Sequence, residues 1–149
     1  MKTGDCCNRV VLVTKADTGI RETAELLRKS HCGSVVVVRD DGTGAHPVGI
    51  ITDRDLVVEV LACGIAPEQV SAGDVMSGDL VLVGEDEEVV EAAARMRKAG
   101  VRRAPVVDGQ GRLVGIVTLD DLLDFTAKLL GVMASMVRRE IATEAAHRT

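Results

Sequence analysis

The sequence predicts an α/β (α+β) fold of two tandem β-α-β-β-α repeats with a C-terminal helical extension. Three observations predict it. The run Val48-Gly49-Ile50-Ile51-Thr52-Asp53-Arg54-Asp55-Leu56 recurs as Val114-Gly115-Ile116-Val117-Thr118-Leu119-Asp120-Asp121-Leu122, and self-similarity at a fixed spacing marks a duplicated unit. The residues upstream repeat as well: Gly4 matches Gly73, Val13 matches Leu82, Asp17 matches Asp86, Ile20 matches Val89, and Leu27 matches Met96. Within each copy, short β-branched runs alternate with helically spaced apolar residues. Apolar residues make up 46% of the 149, enough for one domain or for two halves sharing a core.

The organisation read from these matches is repeat one at 4–65, a linker at 66–72, repeat two at 73–130 and a helical tail at 131–149. The opening Gly4-Asp5-Cys6-Cys7-Asn8-Arg9 carries no structural signal of its own. Val10 to Val13 reads as a short strand by its β-branched content. Asp17-Thr18 offers an N-cap oxygen to the helix that follows. That helix shows one apolar face at Ile20, Ala24 and Leu27 and runs to about Ser30. Ser34 to Val38 is continuously apolar, as in a strand buried on both faces. The Gly-rich stretch 40–47 is a turn that holds three residues more than its counterpart, where an insertion is tolerated. Val48 to Ile51 is the next strand. A helix with Leu56, Val57, Val60 and Leu61 follows and stops at Gly64.

Repeat two follows the same order. Leu80 to Val83 is a strand. Glu87 to Ala99 is a helix with Val89, Ala93 and Met96 inward and Gly100 as its stop. Ala104 to Val107 and Leu113 to Val117 are strands about an Asp108-Gly109-Gln110-Gly111 turn. A closing helix begins near Leu119. Beyond it, Leu122, Leu129, Met133, Met136, Val137 and Ile141 form an apolar stripe, weakened by about 1 kcal/mol at Gly131. This helix either packs on its own domain or meets a second subunit, and its length against so small a domain favours the second.

Composition removes several functions. Phe125 is the single aromatic and the net charge is −5, which argues against base-stacking platforms and phosphate-backbone binding. No apolar run approaches the roughly 20 residues of a membrane span, and the first residues lack the apolar core of a signal peptide. A soluble, cytoplasmic protein with no nucleic-acid or membrane partner is expected. Of the four cysteines, Cys32 and Cys63 sit in apolar patterns and read as buried thiols. A zinc site joining His31-Cys32 to Cys6-Cys7 lacks the spacing of known zinc motifs, so no metal is expected. His31, His46 and His147 are scattered and pair with no nucleophile. The chain is too short for a catalytic barrel of about 250 residues, so no catalysis is expected.

The chemistry concentrates where each Gly-x-x-Thr-x-x-Asp segment passes from strand to helix. There a hydroxyl, a carboxylate and free backbone N–H groups meet, which suits an anionic ligand. Thr52 with Asp55 and Thr118 with Asp121 mark the two places. The same pattern is also a capping-box variant, worth about 1 kcal/mol to stability alone. Arg54, Arg102 and Arg103 are candidate phosphate clamps, since guanidinium matches phosphate oxygens. Arg54 is equally placed for a surface pair with Asp53 or Glu59, and Arg102-Arg103 for a solvated rim.

These motifs, with Asp74-Val75-Met76 entering repeat two and Ala104-Pro105-Val106-Val107, resemble the CBS domain pair, the cystathionine β-synthase regulatory or Bateman module. The resemblance covers about Gly4 to Leu130. It implies two repeats about a pseudo-twofold axis with two clefts that bind AMP, ADP, ATP or S-adenosylmethionine, with or without Mg and with no obligatory cofactor. It also implies that each motif Thr contacts phosphate and each motif Asp accepts from the ribose. Thr14, Ser34 and Val36 would then face the Thr118 cleft, and Gly84, Arg103 and Pro105 the Thr52 cleft. Repeat one departs from the family at Cys6-Cys7 and at Gly33-Ser34-Val35-Val36, which lacks the Pro of repeat two. The function expected is a non-catalytic sensor, a homodimer acting on a regulated protein. The alternative is a ligand-free dimerisation module.

Overall fold

The computed structural model describes residues 1–147, so the last two residues of the expected tail lie outside the described residues. Two three-stranded sheets form the frame. In repeat one, β1 (Val13–Lys15) pairs in parallel with β2 (Ser34–Asp40), and β2 pairs antiparallel with β3 (Ala45–Thr52). Repeat two copies this with β4 (Val83–Gly84), β5 (Arg103–Val107) and β6 (Leu113–Thr118). Helices α2 (Ile20–Ser30) and α5 (Val89–Ala99) join the first two strands of each repeat.

The central strands carry the burial that their composition requires. Val35, Val36, Val37, Ala104 and Val106 are wholly buried, as β-branched and small residues in a two-sided strand should be. Helix α2 turns Ile20, Thr23 and Leu27 to the core, and α5 turns Ala92 and Met96. Ala24, Val89 and Ala93 flank those faces half-buried. Both helices stop on a left-handed residue. Gly100 does so in α5 with φ 69°, and His31 does so in α2 with φ 51°, a conformation that costs a non-glycine residue more.

Several local expectations are corrected. The outer strands are shorter than Val10–Val13 and Leu80–Val83: they begin at Val13 and Val83, and Val10 is exposed. Each has one paired neighbour, so only the last residues of each apolar run reach the ladder. Gly19, rather than Asp17 or Thr18, caps α2, and the Thr18 hydroxyl instead accepts from Lys15 N at 3.4 Å. After the short α3 (Asp53–Asp55) the chain forms a π-helix, Leu56–Leu61. Its wider turn is closed by Ala62 N donating to Val57 O and Ile65 N to Val60 O. That winding buries Val60 and leaves Val57 and Leu61 exposed.

Gly4–Arg9 is ordered, contrary to its bland sequence. Thr3–Cys6 is a helix, α1, whose Thr3 N and Gly4 N donate to Glu87 O and Glu85 O of repeat two at 2.8 and 2.9 Å. Asn8 and Ile116 exchange backbone hydrogen bonds of 2.8 and 2.9 Å. The matching segment of repeat two, α4 (Ala72–Val75), crosses the other way. Its Ala72 N and Gly73 N donate to Thr18 O and Ala16 O of repeat one. Ala72 accordingly sits in the repeat-one core with Ile20 and Ile51, while Cys6 and Cys7 pack on the repeat-two core. The halves are interlocked by their lead-in segments. The extra residues of the 40–47 turn are also used, because the His46 ring contacts Gly111 O of the other repeat at 3.1 Å.

Cys32 and Cys63 are exposed, not buried, while Cys6 and Cys7 are half-buried. Cys32 follows the left-handed turn at His31, and Cys63 lies past the π-helix, so both apolar patterns end before them. Burial pushes the Cys6 and Cys7 thiols up, with the neighbouring Cys7 adding to the effect at Cys6. Thiolate is the reacting form. Iodoacetamide at mildly alkaline pH should therefore label Cys32 and Cys63 quickly and Cys6 and Cys7 only slowly. Peptide mass spectrometry over a labelling time course checks this.

Candidate functional site

The strand-to-helix junctions adopt the same geometry in both repeats. Thr52 N and Oγ1 donate to Asp55 Oδ2 at 2.7 and 2.8 Å, and Asp55 N donates back to Thr52 Oγ1 at 3.2 Å. Thr118 and Asp121 reproduce this at 2.8, 2.7 and 3.1 Å. Each pair is a reciprocal cap, the structural alternative open at the sequence level. Ser71 and Asp74 share the arrangement at the start of α4. The recorded hydrogen bonds of both motif carboxylates use one oxygen, leaving Oδ1 as an acceptor.

A cavity of about 440 Å³ opens beside Thr118, within the range of small-molecule sites. Its wall combines three parts of the chain. The lead-in segment supplies Asn8 and Val10–Leu12. The β2 entry supplies Gly33 and Ser34. Repeat two supplies Arg102, Arg103, Ile116, Thr118, Leu119 and Asp120. Apolar side chains thus face two guanidinium groups and two hydroxyls. Arg102 lies 4.0 Å from Asp120 with both largely exposed, so that pair is weak and screened. Among the described residues, Arg103 and Arg54 form no ion pair. The Arg103 guanidinium lies 3.7 Å from where a Cβ on Gly33 would stand, and the Asp53 carboxylate 3.5 Å from it. Arg103 therefore occupies the seam between the two motifs.

The expected site residues are redistributed. Ser34 and Thr118 come together from opposite repeats, as the resemblance implies. Thr14 does not join them: it is nearly buried and lines a separate hollow with Lys15, Thr18, Leu26 and Val38. Val36 is wholly buried. Arg103 lines the Thr118 cavity, since β5 sets it opposite Thr118 in register, while reaching towards Asp53. Pro105 is buried opposite Ile116, and Gly84 is tied down by donating N–H to Glu87 Oε2 at 3.1 Å. Arg54 is exposed and its N–H donates to Asp53 Oδ1. Asp55 lines a different hollow with Glu59, Asp74 and Ser77. Asp120, not Asp121, borders the Thr118 cavity. Asn8, Val10–Leu12 and Ile116 were missed. For Asn8 the one signal was the match of Gly4–Arg9 with the segment entering repeat two.

Among the described residues, no three His, Cys, Asp or Glu side chains are grouped to hold a metal ion. Every buried side-chain nitrogen and oxygen of the described residues has a partner. No described helix is long and apolar enough to cross a membrane.

The CBS domain family matches residues 4–62 and 72–128. An uncharacterized protein of Methanopyrus kandleri is 38% identical over 136 residues, covering 91% of this chain and 68% of its own length. Hypoxic response protein 1 of Mycobacterium tuberculosis is 31% identical over 118 residues, 79% of this chain and 80% of its own. Among solved structures, a CBS domain pair in complex with 5′-methylthioadenosine and S-adenosyl-L-methionine superposes with a TM-score of 0.74 at 27% identity, covering 86% of this chain and 97% of its own.

Proposed function

The chain belongs to the CBS domain family, and from that premise we propose that it is a non-catalytic regulatory module whose Thr118 cavity takes an adenosyl ligand. The observation that carries this is the cavity's composition. Apolar Val10, Val11, Leu12 and Ile116 can cover a purine face. The Ser34 and Thr118 hydroxyls and the guanidinium groups of Arg102 and Arg103 can hold a polar or anionic 5′ end. A carboxylate only accepts hydrogen bonds and a ribose diol donates two, which suits Asp120 at the cavity wall, while Asp121 fixes Thr118 beside it. The relative solved with adenosyl compounds supports this ligand class. AMP, ADP, ATP and S-adenosylmethionine are the ligands to test, the nucleotides with and without Mg. The protein would work in the cytoplasm as a homodimer and pass the bound state to a regulated protein.

The reciprocal caps favour a second reading, a ligand-free dimerisation module, because the motif side chains are already used structurally. Isothermal calorimetry on the folded chain separates the two. Saturable heat with at least one of those ligands, or with 5′-methylthioadenosine, is expected. It should be lost when Thr118→Ala and Asp121→Ala are combined while the oligomer persists. No heat with any of them leaves the second reading.

A further inference from the structure

The two strand-to-helix junctions are equivalent in backbone and unequal in side chains. Ser34 stands opposite Thr52 in one sheet, and Arg103 opposite Thr118 in the other. Asp53 N donates to Gly33 O at 3.2 Å, and Leu119 N donates to Arg102 O at 2.8 Å. Gly33-Ser34 and Arg102-Arg103 are therefore matching pieces of the two halves, as are Asp53 and Leu119. Helix α6 (Leu119–His147) opens with that leucine and runs unbroken through the expected tail boundary at Gly131.

The residues that repeat one sends to the Thr118 cavity are small. Gly33 and Ser34 stand at its wall and leave about 440 Å³ open. A matching cleft beside Thr52 receives Arg102 and Arg103 at those places instead. The Arg103 side chain extends there: Nη1 lies 3.7 Å from where a Cβ on Gly33 would stand, and Asp53 Oδ2 lies 3.5 Å from the same point. The charges differ as well. Asp53 takes the place that Leu119 holds beside Thr118, and Asp79 matches Val10 of the Thr118 cavity wall. Carboxylates at both places repel a phosphate. We infer that Arg103, with Arg102, reduces the module to one site. It fills the place beside Thr52 and borders the cavity beside Thr118, so each chain takes a single adenosyl ligand. This stoichiometry rests on the adenosyl reading above. Two halves of equal backbone would offer two equal clefts, and side-chain volume at two matched positions removes one of them.

Equilibrium dialysis of the full chain against 5′-methylthioadenosine, which carries no phosphate, counts the sites. The wild type should saturate at one ligand per chain, and AMP should displace it. Two per chain overturns the inference and leaves the adenosyl reading intact. No binding of any adenosyl compound removes that reading, and the stoichiometry with it. Thr118→Ala combined with Asp121→Ala should bind none. One ligand per chain retained in that variant would place it beside Thr52 and overturn the inference. Arg102→Ala combined with Arg103→Ser gives repeat two small residues at the positions of Gly33 and Ser34. It should bind two 5′-methylthioadenosine molecules per chain, with the circular dichroism of the wild type. A folded variant that still binds one shows that the arginines do not close the Thr52 side, and overturns their assignment.

Discussion

Gly115→Val is expected to destabilise the chain by about 1–3 kcal/mol, the cost of overpacking a filled site, and to free the N-terminal segment from repeat two. Gly115 is buried in β6 where that segment crosses. A Cβ there would lie 2.6 Å from Cys7 Sγ and 3.1 Å from the backbone oxygen of Asn8. The thiol can rotate away, but Asn8 O cannot, because Ile116 N donates to it at 2.9 Å and Asn8 N donates to Ile116 O. Relief requires the segment to move. Since Asn8 and Val10–Leu12 form one wall of the Thr118 cavity, ligand affinity should fall with stability. Gly49→Val is the internal control. Its Cβ would meet Met76 at the corresponding crossing, 2.7 Å from Cγ and 2.9 Å from Cβ, and Ser77 N, donating to Ile50 O at 3.0 Å, holds that segment in place. Its cost should be similar, with the Thr118 cavity less affected. Urea unfolding and hydrogen exchange at Asn8 and Ile116 measure both effects. An unchanged midpoint with the Ile116 amide still protected in Gly115→Val would mean that the segment is not held as described.

Arg103→Ala is expected to weaken AMP binding by about ten- to a hundredfold, while 5′-methylthioadenosine binding changes little. A hydrogen bond to a charged group contributes about 1.5–3 kcal/mol, and each 1.4 kcal/mol is tenfold in affinity. Arg103 has no competing ion pair among the described residues and sits half-buried at the start of β5, so its guanidinium is available for phosphate. Arg102 is 74% exposed at its side chain and lies near Asp120, so Arg102→Ala should cost less. Calorimetry with the two ligands gives the ratio. Because 5′-methylthioadenosine carries no phosphate, an equal loss for both would show that Arg103 shapes the cavity rather than binding the anion.

Both experiments depend on features of different legibility. The duplication, the buried Val35–Val37 strand, the stop at Gly100 and the two Thr-x-x-Asp junctions could be read directly. Each is encoded by residues a few positions apart, where side-chain period, β-branching, glycine freedom and cap chemistry act without regard to the rest of the chain. The reciprocal caps at Thr52–Asp55 and Thr118–Asp121 belong to this class. What could not be read depends on which distant segment arrives. Cys32 and Cys63 looked buried because their neighbours are apolar, yet no other element covers them. The π-helix at Leu56–Leu61 follows from how that turn packs under α2 and α4, and its residues alone read as an ordinary helix.

The sequence by itself determined two like halves, their order of strands and helices, and the motif at each strand end, because local periodicity and capping are short-range. The tertiary structure alone decided that each lead-in segment crosses to the opposite half, that Arg103 stands at the seam, and that Thr14 faces elsewhere. Those outcomes come from long-range backbone hydrogen bonds such as Asn8 with Ile116 and Gly73 with Ala16, whose partners lie too far apart in the chain for any local pattern to specify.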